Sequence, residues 1–258
     1  MIICKSPAEL ERMREANQLV ARILEELASM VEPGVTTADL DAAAESKVRA
    51  AGAEPAFKGY RGYPATLCAS VNEQVVHGIP SKRPLVAGDI VSLDMGVRLR
   101  GFFGDSAVTV PVGVVSDDVR RLLRVTQEAL DKGIGQVRVG GRISDIGHAI
   151  QTHVEASGFS VVREFVGHGI GAALHEEPQI ANYGEPGRGP RLAEGMTLAI
   201  EPMVNMGKPS VRVLADGWTA VTKDGSLSAH FEHTVAVTKG GPMILTLRPV
   251  SSRPSTYV

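Results

Sequence analysis

Four carboxylates and one histidine are the residues of this sequence best placed to do chemistry: Asp94, Asp105, His168, Glu201 and Glu232. Asp94 closes the run Leu85-Val86-Ala87-Gly88-Asp89-Ile90-Val91-Ser92-Leu93-Asp94, and Glu201 closes the similar run from Leu192 through Leu198-Ala199-Ile200. Asp105 stands just ahead of Val108-Thr109-Val110, as Glu232 stands just ahead of Val235-Ala236-Val237. If these segments meet, four like charges share one place, which is prohibitively repulsive unless protons or cations neutralise them. His168 lies in Gly167-His168-Gly169-Ile170-Gly171, where flanking glycines let a ring approach a metal without side-chain interference. Five ligands with four negative charges balance two divalent ions, and so oxygen-rich a set suits Mn, Fe(II), Co or Zn.

The elements that would bring the acids together recur. Ser6-Pro7 opens a helix whose apolar residues Leu10, Met13, Ala16, Leu19, Val20, Ile23, Leu24 and Leu27 keep helical spacing. It stops at Glu32-Pro33-Gly34, and a second helix runs from Thr36-Thr37 to about Ala51. The same text returns 106 residues on, where Gly34 matches Gly140, Asp39-Leu40 matches Asp145-Ile146 and Gly52 matches Gly158, after a helix over about Asp117 to Gln136. The strand runs ending in Asp94 and Glu201 repeat at an offset of 107. Several kinds of element in one order at nearly one offset indicate a duplicated unit, approximately 6–111 and 112–240. A pseudo-two-fold then sets Asp94 against Glu201 and Asp105 against Glu232.

Composition narrows the partners. A net charge of −2 supplies no basic field for nucleic acid or an anionic membrane. The two cysteines, Cys4 and Cys68, form neither a disulfide framework nor a zinc pattern, which fits a reducing cytoplasm. No run of 18 apolar residues and no signal-peptide order is present, so no membrane span or export is expected.

Asp94, Asp105, His168, Glu201 and Glu232, in this order and spacing, resemble the ligand set of the methionine aminopeptidases and their pita-bread-fold relatives. Tyr60-Arg61-Gly62-Tyr63-Pro64, Val71-Asn72-Glu73 with His77-Gly78-Ile79-Pro80, His175-Glu176-Glu177-Pro178 and Glu201-Pro202 are similar to the type I enzymes in particular. The resemblance covers essentially the whole chain. It implies a single α/β pita-bread domain over 1–258, with an antiparallel sheet backed by four main helices and the site on the sheet's concave face.

The resemblance also implies roles. Asp94 would bind one metal, Asp105 and Glu232 would bridge both, and His168 with Glu201 would complete the second. A hydroxide would lie between two ions, the substrate's free amine would coordinate directly, and Glu201 would accept the water's proton. His77 and His175 would flank the peptide as hydrogen-bond donors or proton shuttles. Tyr60, Tyr63, Cys68 and Trp218 would wall a methionine pocket, with Phe57 and Leu174 at pocket positions where many bacterial members have a small thiol and a phenylalanine. Ser106 stands where the pattern often has threonine or cysteine.

Substrates would be the N-termini of nascent polypeptides whose second residue is small, met near the ribosome by a cytoplasmic monomer. X-Pro aminopeptidases and prolidases share the five ligands but normally carry an additional N-terminal domain. Type II enzymes carry a helical insertion between the last two glutamates, which here are only 31 residues apart. A non-catalytic peptide-binding module is the alternative from another class. His148, His153 and His230 read as satisfied surface or core residues, and His233 points away from Glu232 by strand alternation. Residues 248–258 read as a tail over the surface.

Overall fold

The computed structural model describes residues 1–247; the tail expected over 248–258 lies outside them. Ser6 caps α1 (Pro7–Ser29) through a reciprocal pair in which Glu9 N donates to Ser6 Oγ and Ser6 N donates to the Glu9 carboxylate. Thr36 and Asp39 cap α2 (Thr37–Ala50) in the same way. One face of α1, bearing Leu19, Val20, Ile23 and Leu27, packs with Leu40, Ala44 and Val48 of α2. Beneath them lie the strands β1 (Glu54–Pro55), β2 (Leu67–Val71), β4 (Ile90–Leu99) and β5 (Phe102–Pro111), of which β4 supplies Val91, Leu93 and Met95 to the core, while β3 (Gln74–Val76) joins a separate three-stranded sheet.

The second set of elements follows in like order. α3 (Asp117–Ile134) and α4 (Ile143–Ala156) bury Leu122, Val125, Ala129, Ile146, Ile150 and Val154 against Leu198, Ile200 and Val235. The strands here are β6 (Ser160–Val161), β7 (Gly167–Gly169), β8 (Glu176–Ile180), β9 (Thr197–Ile200), β10 (Met203–Asn205), β11 (Val211–Val213), β12 (Ala220–Thr222), β13 (Ser228–His230), β14 (Glu232–Thr238) and β15 (Gly241–Ile244). Each fully buried Leu or Ile in these cores contributes about 2 kcal/mol.

The main sheet has nine strands in the order β1-β4-β5-β14-β9-β7-β8, with β2 also on β4 and β15 also on β14, all antiparallel. The two sets of elements meet in its middle, where β5 pairs β14. Ser106 Oγ donates to the Glu232 carbonyl at 2.7 Å, and Thr234 Oγ1 donates to the Asp105 carbonyl at 2.8 Å. These two hydroxyls brace the seam from both sides. No helix among the described residues is long and apolar enough to cross a membrane.

Candidate metal centre and substrate pocket

Strand register puts the five predicted ligands on one face. Asp94 on β4 and Glu232 on β14 both lie opposite Ala107 of β5, and Asp105 is two residues from Ala107. Directly opposed residues in an antiparallel pair share a face, as do residues two apart on one strand. His168 on β7 lies opposite Ala199 of β9, which lies opposite Thr234 of β14. Glu201 is two past Ala199 and Glu232 two before Thr234, so all five side chains emerge together.

His168 Nε2 is 3.6 Å from Glu201 Oε1 and 3.9 Å from Asp105 Oδ2, and ligand atoms of Asp105, His168 and Glu232 lie within 4.8 Å of one another. His168 Nδ1–H donates to the Gly169 carbonyl at 2.9 Å, since a carbonyl only accepts. Burial, then the nearby His175, lowers the His168 pKa to about 3, so the ring is neutral and Nε2 presents a lone pair to the acids. Burial raises all four carboxyl pKa values, Asp105 to about 7, and neighbouring carboxylates add to the effect at Asp94, Glu201 and Glu232.

These groups have no other neutralising partner in view. Asp105 Oδ1 and Glu232 Oε1 are buried without a hydrogen-bond partner, and a lone pair aimed at carboxylates across 3.6–3.9 Å makes no hydrogen bond. Hard divalent cations would satisfy all of these atoms at once, so the donor set fits metal.

The acids form the floor of a cavity of about 150 Å³ whose walls include Phe57, Tyr60, Tyr63, Cys68, Leu174 and Trp218, with His77 and His175 beside them. Cys68 on β2 lies opposite Asp94 in register, so wall and floor share a strand pair. Tyr63 is held by hydrogen bonds from its hydroxyl to the Leu67 and Gly78 carbonyls, and its ring meets Trp218 edge-on at 5.1 Å. Trp218 sits in a turn pinned by Asp216, whose carboxylate accepts from the Trp218 and Thr219 backbone N–H groups.

His77 has φ +60°, an uncommon conformation for a non-glycine residue that turns its ring toward Phe165 and Trp218. Burial lowers its pKa to about 4. His175 is exposed at the mouth, stacked on Tyr60 at 5.2 Å with Nδ1 2.9 Å from the Tyr60 hydroxyl, and 4.2 Å from the His168 ring. Its pKa is lowered by burial of the ring and then by the Arg61 charge.

One histidine departs from its expected reading. His148 and His153 have partners in the Gly184 carbonyl and Glu128. His230 is instead only 1% exposed, its Nε2 has no hydrogen-bond partner, and it faces Glu201 Oε2 at 3.6 Å. Its position only two residues before Glu232 was the signal that could have found it, whereas His233 turns away to Thr246.

Buried acids beneath an aromatic-walled cleft are the layout of a metal-dependent hydrolase, and comparison with known proteins gives the class. The chain belongs to metallopeptidase family M24, whose model matches residues 11–239. Its relatives there are methionine aminopeptidases, as the motifs imply. Methionine aminopeptidase 1 of Bacillus subtilis is 56% identical over 246 residues, which are 95% of this chain and 99% of that protein. The solved structure of methionine aminopeptidase from Rickettsia prowazekii superposes with a TM-score of 0.95 at 44% identity, over 96% of this chain and 100% of that one. Prolidase from Pyrococcus furiosus, 22% identical with a TM-score of 0.77 over 96% of this chain and 66% of its own, shares the pita-bread fold.

Proposed function

We propose that the chain is a metalloaminopeptidase that removes the initiator methionine from newly made proteins whose second residue is small, working with two divalent ions. The observation that carries this reading is one cavity that joins five metal-type donors, three buried and two half-buried, to an apolar aromatic wall. High identity to methionine aminopeptidases over nearly the full chain supports it. Asp94, Asp105, His168, Glu201 and Glu232 would hold the ions, drawn from Co, Mn, Fe and Zn, which when bound polarise the scissile carbonyl and acidify water.

The chain's own residues do the rest. Tyr63, Cys68, Trp218, Phe57 and Leu174 receive the methionine side chain and exclude water from it. Glu201, whose side chain opens into the cavity, accepts the proton of the attacking water on a carboxylate oxygen. His77, kept neutral by burial, offers a ring N–H to the substrate backbone, and His175, whose pKa is also lowered, offers one to the oxygen that gains charge in the transition state. Tyr60, Arg61 and His175 crowd the mouth, which supports a small second residue. A monomer acting in the cytoplasm on nascent N-termini, near the ribosome, accords with the near-neutral charge and the lack of any membrane-spanning helix among the described residues. The repeat over 6–111 and 112–240 is read as two halves of one catalytic domain, each supplying ligands.

The test is release of methionine from Met-Gly-Met-Met, beside an X-Pro peptide, by metal-stripped protein with and without Co(II) or Mn(II) and with a Glu201→Ala control. Metal-dependent cleavage of the first peptide alone, lost in the control, is expected. Cleavage of the X-Pro peptide alone would favour the prolidase activity, and cleavage of neither by protein that binds two ions would leave a peptide-binding module.

A further inference from the structure

A buried ion pair behind His175 serves no purpose in the mechanism above. Lys5 is only 7% exposed, and its Nζ meets Glu176 Oε2, with the two side chains 3% and 7% exposed. The same ammonium donates to the Ile3 carbonyl at 3.2 Å, and Lys5 N donates to the Gly195 carbonyl at 2.7 Å, so the segment before α1 is anchored at both backbone and side chain. Glu176 adjoins His175, and its other oxygen accepts from Ala173 N at 3.2 Å, inside the loop that leads to His175.

That loop closes directly on the pair. A Cβ at Gly171 would fall 2.4 Å from Lys5 Cε and 2.6 Å from Glu176 Oε1. Gly171 N donates to the Ala173 carbonyl, and the Gly171 carbonyl accepts from Phe103 N. Three tethers therefore fix residues 171–176: the β5 backbone at one end, β8 at the other, and the Lys5 ammonium beneath. Beyond them His175 is exposed, held laterally by Tyr60.

We infer that Lys5 and Glu176 are positioning residues that fix the His175 ring over the metal floor, so that the segment preceding α1 is part of the catalytic apparatus. The inference rests on the proposed role of His175. A donor effective only in the transition state loses its effect when displaced by about an ångström, a displacement that costs up to ~100-fold in rate. Losing such an interaction lowers kcat and leaves KM unchanged.

The experiment compares Lys5→Met, His175→Ala and their combination in the metal-loaded full chain by steady-state kinetics on Met-Gly-Met-Met, and follows the His175 ring by NMR. The Lys5→Met/Glu176→Gln double variant, which leaves no lone buried charge, guards against misfolding. Lys5→Met is expected to reduce kcat roughly ten- to hundredfold with KM within about twofold. It should have no further effect beside His175→Ala, and should shift the His175 resonance while those of His148 and His153 stay in place. The double variant should fold and show the same loss. An unshifted His175 resonance, or effects of Lys5→Met and His175→Ala that multiply independently, overturns the inference. A shifted resonance with full activity in His175→Ala upholds the positioning and refutes the catalytic role of His175 instead.

Discussion

Asp105 shows what the proposed metal centre costs the fold. Its carboxyl, 4% exposed with one oxygen unpartnered, has its pKa raised by burial to about 7 from an ordinary value near 4. A carboxyl whose folded pKa is raised binds more protons folded than unfolded between those values, so it destabilises the fold progressively as pH rises from about 4 to about 7. Metal-stripped Asp105→Asn should therefore be more stable than metal-stripped parent protein, by a margin that grows over that window to a few kcal/mol at pH 8. Urea unfolding from pH 5 to pH 8 measures it, and a margin that is flat or shrinks with pH would refute the account. In excess Mn(II) the order should reverse, because the asparagine has lost the charged donor.

At the scale of elements, the site depends on how closely α1 approaches β5. A Cβ on Gly104 would sit 2.8 Å from Ala16 C and Asn17 N, so glycine is what lets the helix backbone touch the strand next to Asp105. Asn17, fully buried, donates to the Met13 carbonyl and accepts from Asp105 N at 3.3 Å, tying the helix to the backbone of Asp105. Gly104→Ala should cost roughly 1–3 kcal/mol through overpacking. It should also weaken metal binding, because the strand can yield only by moving Asp105. Thermal melts and metal titration calorimetry on one preparation check both, and lost stability with unchanged affinity would show that α1 supports the fold but not the site.

At the scale of the molecule, the proposed ligands come from both sets of elements: Asp94 and Asp105 precede α3, whereas His168, Glu201 and Glu232 follow it. Bound metal would hold the β5–β14 seam together and favour the folded state by mass action, about 2.7 kcal/mol at a hundredfold excess over Kd. For a chain of this size that corresponds to a rise in Tm of roughly 5–10 °C. Differential scanning fluorimetry with Mn(II) or Co(II) against chelator should show it, and Glu232→Ala should remove most of it. A Tm indifferent to metal in the parent protein would contradict the proposed centre.

Much of this was legible from the chain alone, because it is written locally. The caps at Ser6-Glu9 and Thr36-Asp39, the helical spacing of Leu19, Ile23 and Leu27, and the runs that stop at Asp94 and Glu201 each depend on neighbours a few residues apart. The repeated order of those signals told which acids to bring together, and period-two alternation told that His233 turns away. Contacts between distant segments decided the remainder. That Glu176 meets Lys5 across 171 residues, that Ser106 and Thr234 brace the seam, and that His230 faces Glu201 without a partner all depend on register and proximity. The raised carboxyl and lowered imidazole pKa values belong to the same category. Burial and neighbouring charge set them, and neither exists until the two sets of elements close around one cavity.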